Sequence, residues 1–173
     1  MRIVDSKAFY STYHANNEVF EIDQILTDMV VKTKPESVFD FGTGTGKNLK
    51  LIQEKMRYSV EVCGLDLSFL NIVHARAIHY LPYLIIGDES FLKYLSKFDV
   101  SMTCSVLCHI PDIKEIILNL QRISDKIIIT ETNDVANEHY YPHKYEAFGF
   151  VDQGIDWYSA GNDCNYKFYK WSR

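Results

Sequence analysis

The chain has 173 residues, 47% of them hydrophobic and 24% charged, which suits one globular domain that buries a core without staples. With 18 Lys and Arg against 23 Asp and Glu the formal charge is −5, so the basic excess of a protein that tracks phosphates is lacking and nucleic acid is disfavoured as a partner, although a local basic patch is compatible with the sum. Four Pro and eight Gly leave no room for a long disordered segment.

No apolar run approaches the ~18 residues of a spanning helix, and the N-terminal stretch lacks the apolar centre of a signal peptide. A cytoplasmic chain without a membrane span is therefore expected. Cys63, Cys104, Cys108 and Cys164 form no CxxC pair. They are expected to be reduced, mostly buried thiols that hold no metal.

Residues 18–33 place Val19, Ile22, Ile25, Leu26 and Met29 on one helical stripe, which Pro35 ends. Ser37–Phe41 reads as a buried strand running into a glycine cluster. Residues 47–57 read as a helix, 60–65 as a strand and 68–80 as a helix. Residues 83–86 form a third strand, followed by a short helix near 91–95. Residues 98–103 form a fourth strand, a helix follows Pro111, and 126–130 (KIIIT) form a fifth. Short apolar strands alternating with helices predict a doubly wound, mostly parallel sheet. Residues 150–157 and 165–171 flank the turn-prone 159–163 and predict an antiparallel C-terminal hairpin. No linker or repeat divides the chain, so 1–173 is expected to be a single domain: an N-terminal lid and helix (1–34), a cofactor-binding core (35–131) and an acceptor-side segment with the hairpin (132–173).

The first strand–helix junction reads Asp40-Phe41-Gly42-Thr43-Gly44-Thr45-Gly46-Lys47. Three alternate glycines let the backbone turn sharply and approach a ligand closely. A phosphate loop would need Gly where Phe41 stands and Ser or Thr where Asn48 stands, and a dinucleotide fingerprint would need Gly at Lys47. What remains is an acid followed by three alternate glycines, suited to an uncharged nucleoside with an amino-acid tail. Asp66, at the tip of the second strand, can accept both ribose hydroxyls. Asp88, at the tip of the third, can accept an adenine amino group or cap the next helix.

The stretches VFDFGTGTG, VCGLDLS, IIGDES and FDVSMTCSVLCHIPD resemble, in order, the motifs of class I S-adenosylmethionine-dependent methyltransferases, over about residues 36–131. The resemblance implies the Rossmann-like methyltransferase fold, a seven-stranded sheet with an antiparallel last strand. It also implies S-adenosylmethionine as cofactor, with Asp40, Gly42, Gly44 and Gly46 on the methionine side and Asp66 on the ribose. Leu67 would pack on the adenine, Asp88 would reach its amino group, and Cys104 and Ser105 would lie where cofactor meets substrate.

The acceptor follows by comparison of subclasses. The [DNS]-P-P-[YFW] motif of nucleic-acid amino methylases is replaced by Cys104-Ser105-Val106-Leu107. A metal-dependent O-methyltransferase would need an acid after the fourth strand. The expectation is metal-independent transfer to a hydroxyl of a sugar, glycan or other small molecule. Transfer to an amine of a small molecule, or a cofactor-binding module without turnover, are the alternatives. His109, His139 and His143 are the candidate bases. Tyr13 and His14 in the N-terminal aromatic cluster, with Tyr140, Tyr141 and Tyr145 after the fifth strand, are the candidate acceptor-binding residues. Oligomeric state is left open.

Overall fold

The computed structural model describes residues 17–132, 140–159 and 164–173. Its elements follow the alternation read from the sequence. They are α1 (Glu21–Lys32), β1 (Ser37–Phe41), α2 (Lys47–Lys55), β2 (Glu61–Asp66), α3 (Phe69–His79), β3 (Tyr83–Ile86), β4 (Phe98–Cys104), α4 (Lys114–Ile123), β5 (Ser124–Thr132), β6 (Val151–Ser159) and β7 (Cys164–Ser172), with three short 3₁₀ turns at Glu89–Tyr94, Leu107–His109 and Tyr145–Phe148. The helix expected near 91–95 is the first of these turns, capped by Asp88 and burying only Leu92. With one apolar side chain to bury, that segment gains nothing by extending into an α-helix.

The seven strands form one sheet in the order β3-β2-β1-β4-β5-β7-β6. β1 to β5 run parallel, and β7 pairs antiparallel with both β5 and β6. The strand order reverses between β1 and β4. Helices leaving these two strands diverge to opposite faces, and a crevice opens at their carboxyl ends. The ligand site of such a sheet is placed by topology before any side chain is considered.

Side-chain alternation divides the core. Val38, Val62, Leu84, Val100, Met102 and Ile128 face α1, α2 and α3. Phe39, Phe41, Leu65, Ile127 and Ile129 face α4 and the 3₁₀ turns. In α4 the buried Ile116, Ile117, Leu120 and Ile123 fall at helical spacing, which is why this amphipathic stretch docks as a helix. β5 is longer than the run KIIIT because Ser124 is buried against the Ser101 hydroxyl, while Glu131 and Thr132 pair with Lys167 and Tyr166 of β7. β6, an edge strand, carries an irregularity between Asp152 and Asp156, with Gly154 at φ 64°. Bulges of this kind blunt sheet edges. Among the described residues no helix is long and apolar enough to cross a membrane.

Candidate active site

The glycine loop turns back over the end of β2. The Gly42 and Thr43 N–H groups both donate to the Leu65 carbonyl, at 2.8 and 3.0 Å. Gly42, Gly44 and Gly46 have φ of 74°, 55° and 77°. A Cβ at Gly42 would lie 2.3 Å from Val106 Cγ2, and one at Gly46 2.5 Å from Leu81 Cδ1. The first glycine lets the loop after β4 close in, and the third lets α2 start tight against α3. The Gly44 N–H donates to Asp66 Oδ2 at 2.7 Å, while Asp66 Oδ1 accepts from the Ser68 N–H at 2.8 Å and the Asn71 amide at 3.3 Å. Asp66 is thereby fixed at the tip of β2. The cap of α3 is Ser68, whose Oγ accepts from the Asn71 N–H at 3.3 Å.

Lys47 points away from the loop mouth. Its Nζ pairs with Asp23 at 2.8 Å, donates to the Glu18 carbonyl at 2.9 Å and lies 5.0 Å above the Phe20 ring. The ammonium next to the glycines therefore anchors α1 rather than facing a phosphate. Asn17 joins the same corner, where its Oδ1 accepts from Thr45 Oγ1 at 3.1 Å and from His79 Nε2 at 2.9 Å.

Asp40 is the second acid of the loop. It is 2% exposed, and burial pushes its pKa up to about 7. The nearby Thr43 hydroxyl and Lys47 oppose that rise, whereas the charges of Asp66 and Asp23 add to it. Its Oδ2 accepts no hydrogen bond from the described residues. A buried carboxylate oxygen left without a donor costs about 1–3 kcal/mol or more, so its persistence at the head of a glycine cradle fits a cationic ligand group. The cradle, the fixed Asp66 and the donor-less Asp40 oxygen together fit a nucleoside carrying an ammonium.

On the far side of this loop, Leu67 is half-buried after β2. The Gly87 N–H donates to the Asp66 carbonyl at 3.0 Å, tying the tips of β2 and β3. Asp88 Oδ1 accepts from the Ser90 N–H at 3.0 Å, so the capping role weighed for Asp88 is realised.

The loop after β4 forms the opposite wall. Cys104 ends the strand, and Ser105 takes a left-handed φ of 56° while donating its N–H to the Thr130 carbonyl at 2.9 Å. A non-glycine residue held in this region stores strain, a feature that clusters at functional sites. Tyr166 of β7 hydrogen-bonds the Ser105 side chain, and burial pushes its phenol well above the usual range. His109 stacks on Tyr140, centroids 4.9 Å apart at 44°. Burial also raises the Cys104 and Cys108 thiols well above their ordinary values, which opposes formation of a thiolate at either.

Tyr145 and His143 take other positions. Tyr145 is fully buried, with its ring 4.9 Å from that of Tyr169, because the 3₁₀ turn at 145–148 drops it into the core. It lines no acceptor surface. His143 Nε2 lies 3.1 Å from the Leu107 carbonyl and 2.9 Å from the Ile110 carbonyl. Both partners are acceptors, so Nε2 carries a proton and braces the loop rather than accepting one. Tyr141 is half-buried and donates its N–H to the Cys108 carbonyl at 2.7 Å. Tyr13, His14 and His139 lie outside the described residues.

Sequence reasoning missed two residues. Tyr166 was hidden in a hairpin whose register only the fold sets, opposite Thr132. Glu131, fully buried, accepts from the N–H groups of Val106 and Leu107, both at 2.9 Å, and of Cys108 at 3.2 Å. An acid directly after the uncharged run IIIT was the available signal.

A family described as "Methyltransferase domain" matches residues 15–162. No curated protein matches the sequence significantly. Among solved structures the chain is similar to magnesium protoporphyrin IX methyltransferase (ChlM) from Synechocystis PCC 6803 with bound SAH, at 16% identity and TM-score 0.68, covering 92% of this chain and 90% of that one. It is also similar to the N-terminal domain of EvdMO1 in the presence of SAH and D-fucose, at 11% identity and TM-score 0.67, covering 90% and 84%. The plantazolicin methyltransferase BpumL in complex with SAH aligns at 15% identity and TM-score 0.65, covering 88% and 82%. With its sheet order, its glycine cradle and this family match, the chain belongs to the class I methyltransferases that use S-adenosylmethionine.

Proposed function

We propose that the chain transfers a methyl group to a hydroxyl of a sugar, glycan or other small molecule, without a metal ion, and that His109 is the base. The observation that carries this reading is that His109, ring-paired with Tyr140, shares the short loop at the carboxyl end of β4 with Ser105, which is hydrogen-bonded to Tyr166.

S-adenosylmethionine supplies an electrophilic methyl on a sulfonium. Asp40 Oδ2 would take the ammonium of its amino-acid tail, and Gly42, Gly44 and Gly46 would hold the tail. Asp66 would accept from the ribose hydroxyls, Leu67 would pack on the adenine and Asp88 would receive the adenine amino group. Cys104 and Ser105 would lie at the reacting end of the cofactor. His109 would accept the proton that the acceptor hydroxyl gives up on methylation. A positioned base of this kind contributes about 10²–10⁴-fold. Tyr140 orients His109 and gives a sugar or planar ring a surface to stack on. Tyr141, beside it, completes that wall.

Metal-free chemistry is supported by the ligand types. Cys104 and Ser105 stand where a hard cation would need a carboxylate, and Glu131 directs its oxygens to three backbone N–H groups. A compact acceptor is supported by the shortness of the segments around the site and by a fold neighbour crystallised with D-fucose.

The test is methyl transfer from labelled S-adenosylmethionine to a panel of sugars, sugar nucleotides, phenols and amines, with chelator present. Label on a hydroxyl compound, lost in His109→Ala while S-adenosylhomocysteine binding is kept, is the expected result. Label confined to amines, or turnover abolished by chelator, overturns the reading.

A further inference from the structure

Glu131 stands apart from every other carboxylate of the site. It lies near the end of β5, fully buried on the face that carries Ile127 and Ile129. Lys167 is opposite it in register, but the Lys167 ammonium turns to Asp152 at 3.5 Å. The partners of Glu131 are instead three consecutive loop N–H groups, Val106, Leu107 and Cys108, together with the Cys108 thiol. Burying a carboxylate is expensive, and these donors offset the cost. An apolar residue in the same place would leave three backbone N–H groups without their acceptor, so the carboxylate is tied to what it holds.

What it holds is the loop that carries the chemistry. Ser105 precedes the three N–H groups and His109 follows them. The His109 N–H donates to the Val106 carbonyl at 3.1 Å, so its backbone moves with the held segment. The opposite edge of the loop is held through its carbonyls. His143 Nε2 faces those of Leu107 and Ile110, and the Tyr141 N–H donates to that of Cys108. N–H groups are gripped from β5 and C=O groups from 141–143, which leaves the loop one position relative to β4.

We infer that Glu131 is the positioning residue of the transfer reaction, setting Ser105 and His109 at the tip of β4 through its grip on the 106–108 backbone. This rests on the chain being a methyltransferase and not on the acceptor being a hydroxyl. Misplacing a reacting group by about 1 Å costs on the order of 10²-fold in rate, so a grip on backbone atoms is enough to matter.

The experiment compares Glu131→Ala, Glu131→Gln and Glu131→Asp in the full chain saturated with S-adenosylhomocysteine. Hydrogen exchange is followed at residues 104–110, with residues 48–52 of α2 as control. In Glu131→Ala the amides of 106–108 are expected to exchange at least about fivefold faster, the equivalent of one lost hydrogen bond. Glu131→Gln keeps one acceptor oxygen and is expected to restore most of the protection. With an acceptor in hand, kcat of the Ala variant is expected to fall about 10²-fold while the KM for S-adenosylmethionine stays within about threefold. If the Ala variant does not fold, Glu131→Asp decides, because its shorter reach must raise exchange at 106–108 while leaving 48–52 unchanged. Unchanged exchange at 106–108, an equal rise over the whole chain, or a Gln variant no better than Ala overturns the inference. The exchange measurement needs no acceptor, so it separates failure of this inference from failure of the hydroxyl assignment.

Discussion

Gly42 and Val106 are in contact across the carboxyl ends of β1 and β4, so closely that a Cβ on the glycine would lie 2.3 Å from Val106 Cγ2. This contact joins the glycine loop after β1, proposed to cradle the cofactor, to the loop after β4, proposed to face the acceptor. Gly42→Ala is expected to weaken S-adenosylhomocysteine binding at least about tenfold, since both the overlap and the φ of 74° oppose the new side chain. Adding Val106→Ala removes the overlap but not the backbone strain. Calorimetric titration should therefore show partial recovery. Full recovery would mean that φ is irrelevant here, and no recovery would mean that Val106 is.

The parallel core was legible because its signals are local. Each strand is an apolar run between turn residues, with an acid inside the run's end, as Asp40 is in β1, or closing it, as Asp66 does in β2. The site's other wall was less legible because it is assembled from residues far apart in the chain. Tyr166 meets Ser105 only once β7 has paired antiparallel with β5, and Glu131 meets 106–108 only because β4 and β5 are neighbours. Tyr145 illustrates the opposite error. An aromatic in a polar, Tyr-rich stretch suggested a binding surface, but the 3₁₀ turn at 145–148 buries it against Tyr169. His143 was found by composition, and its role as a donor was decided by two carbonyls that no local pattern announces.

Asp66 holds the glycine loop through the Gly44 N–H and is also the candidate ribose ligand. Asp66→Ala is expected to weaken S-adenosylhomocysteine binding by about 1–3 kcal/mol, from unpaired ribose hydroxyls and a freed loop. Asp66→Asn keeps one acceptor oxygen and should lose less. A dissociation constant unchanged in both variants would remove Asp66 from the site.

Asp40, the proposed partner of the cofactor ammonium, is expected to make cofactor binding depend on pH. Its pKa is raised from 3.8 to about 7 in the folded protein, chiefly by burial. The folded state therefore holds a proton that the unfolded state gives up, and the stability of the cofactor-free protein falls as pH rises through that window. Binding runs the other way, because an ammonium needs the carboxylate ionised. Affinity for S-adenosylhomocysteine should increase from pH 6 to pH 8 with a midpoint near the value of about 7. Asp40→Asn should flatten both dependences, raise the melting temperature of the cofactor-free protein at high pH and weaken binding throughout. A wild-type affinity constant across that range would show that Asp40 does not meet the ammonium.

His143 and His109 lie on the same side of the sheet's carboxyl end but call for different substitutions. His143 donates from Nε2 to two carbonyls of the 107–110 turn. A Gln amide can donate in its place, so His143→Gln should keep much of the turnover. His143→Ala leaves two carbonyls without their donor and should lower stability by about 1–3 kcal/mol. His109 is assigned the proton itself. His109→Gln keeps the shape and hydrogen-bonding character of the ring but cannot take a proton near neutral pH. Its kcat should fall about 10²–10⁴-fold with the melting temperature nearly unchanged. Measuring both quantities for the four variants His143→Gln, His143→Ala, His109→Gln and His109→Ala separates the roles. If His143→Gln loses turnover without losing stability while His109→Gln keeps it, the two histidines have been assigned the wrong way round.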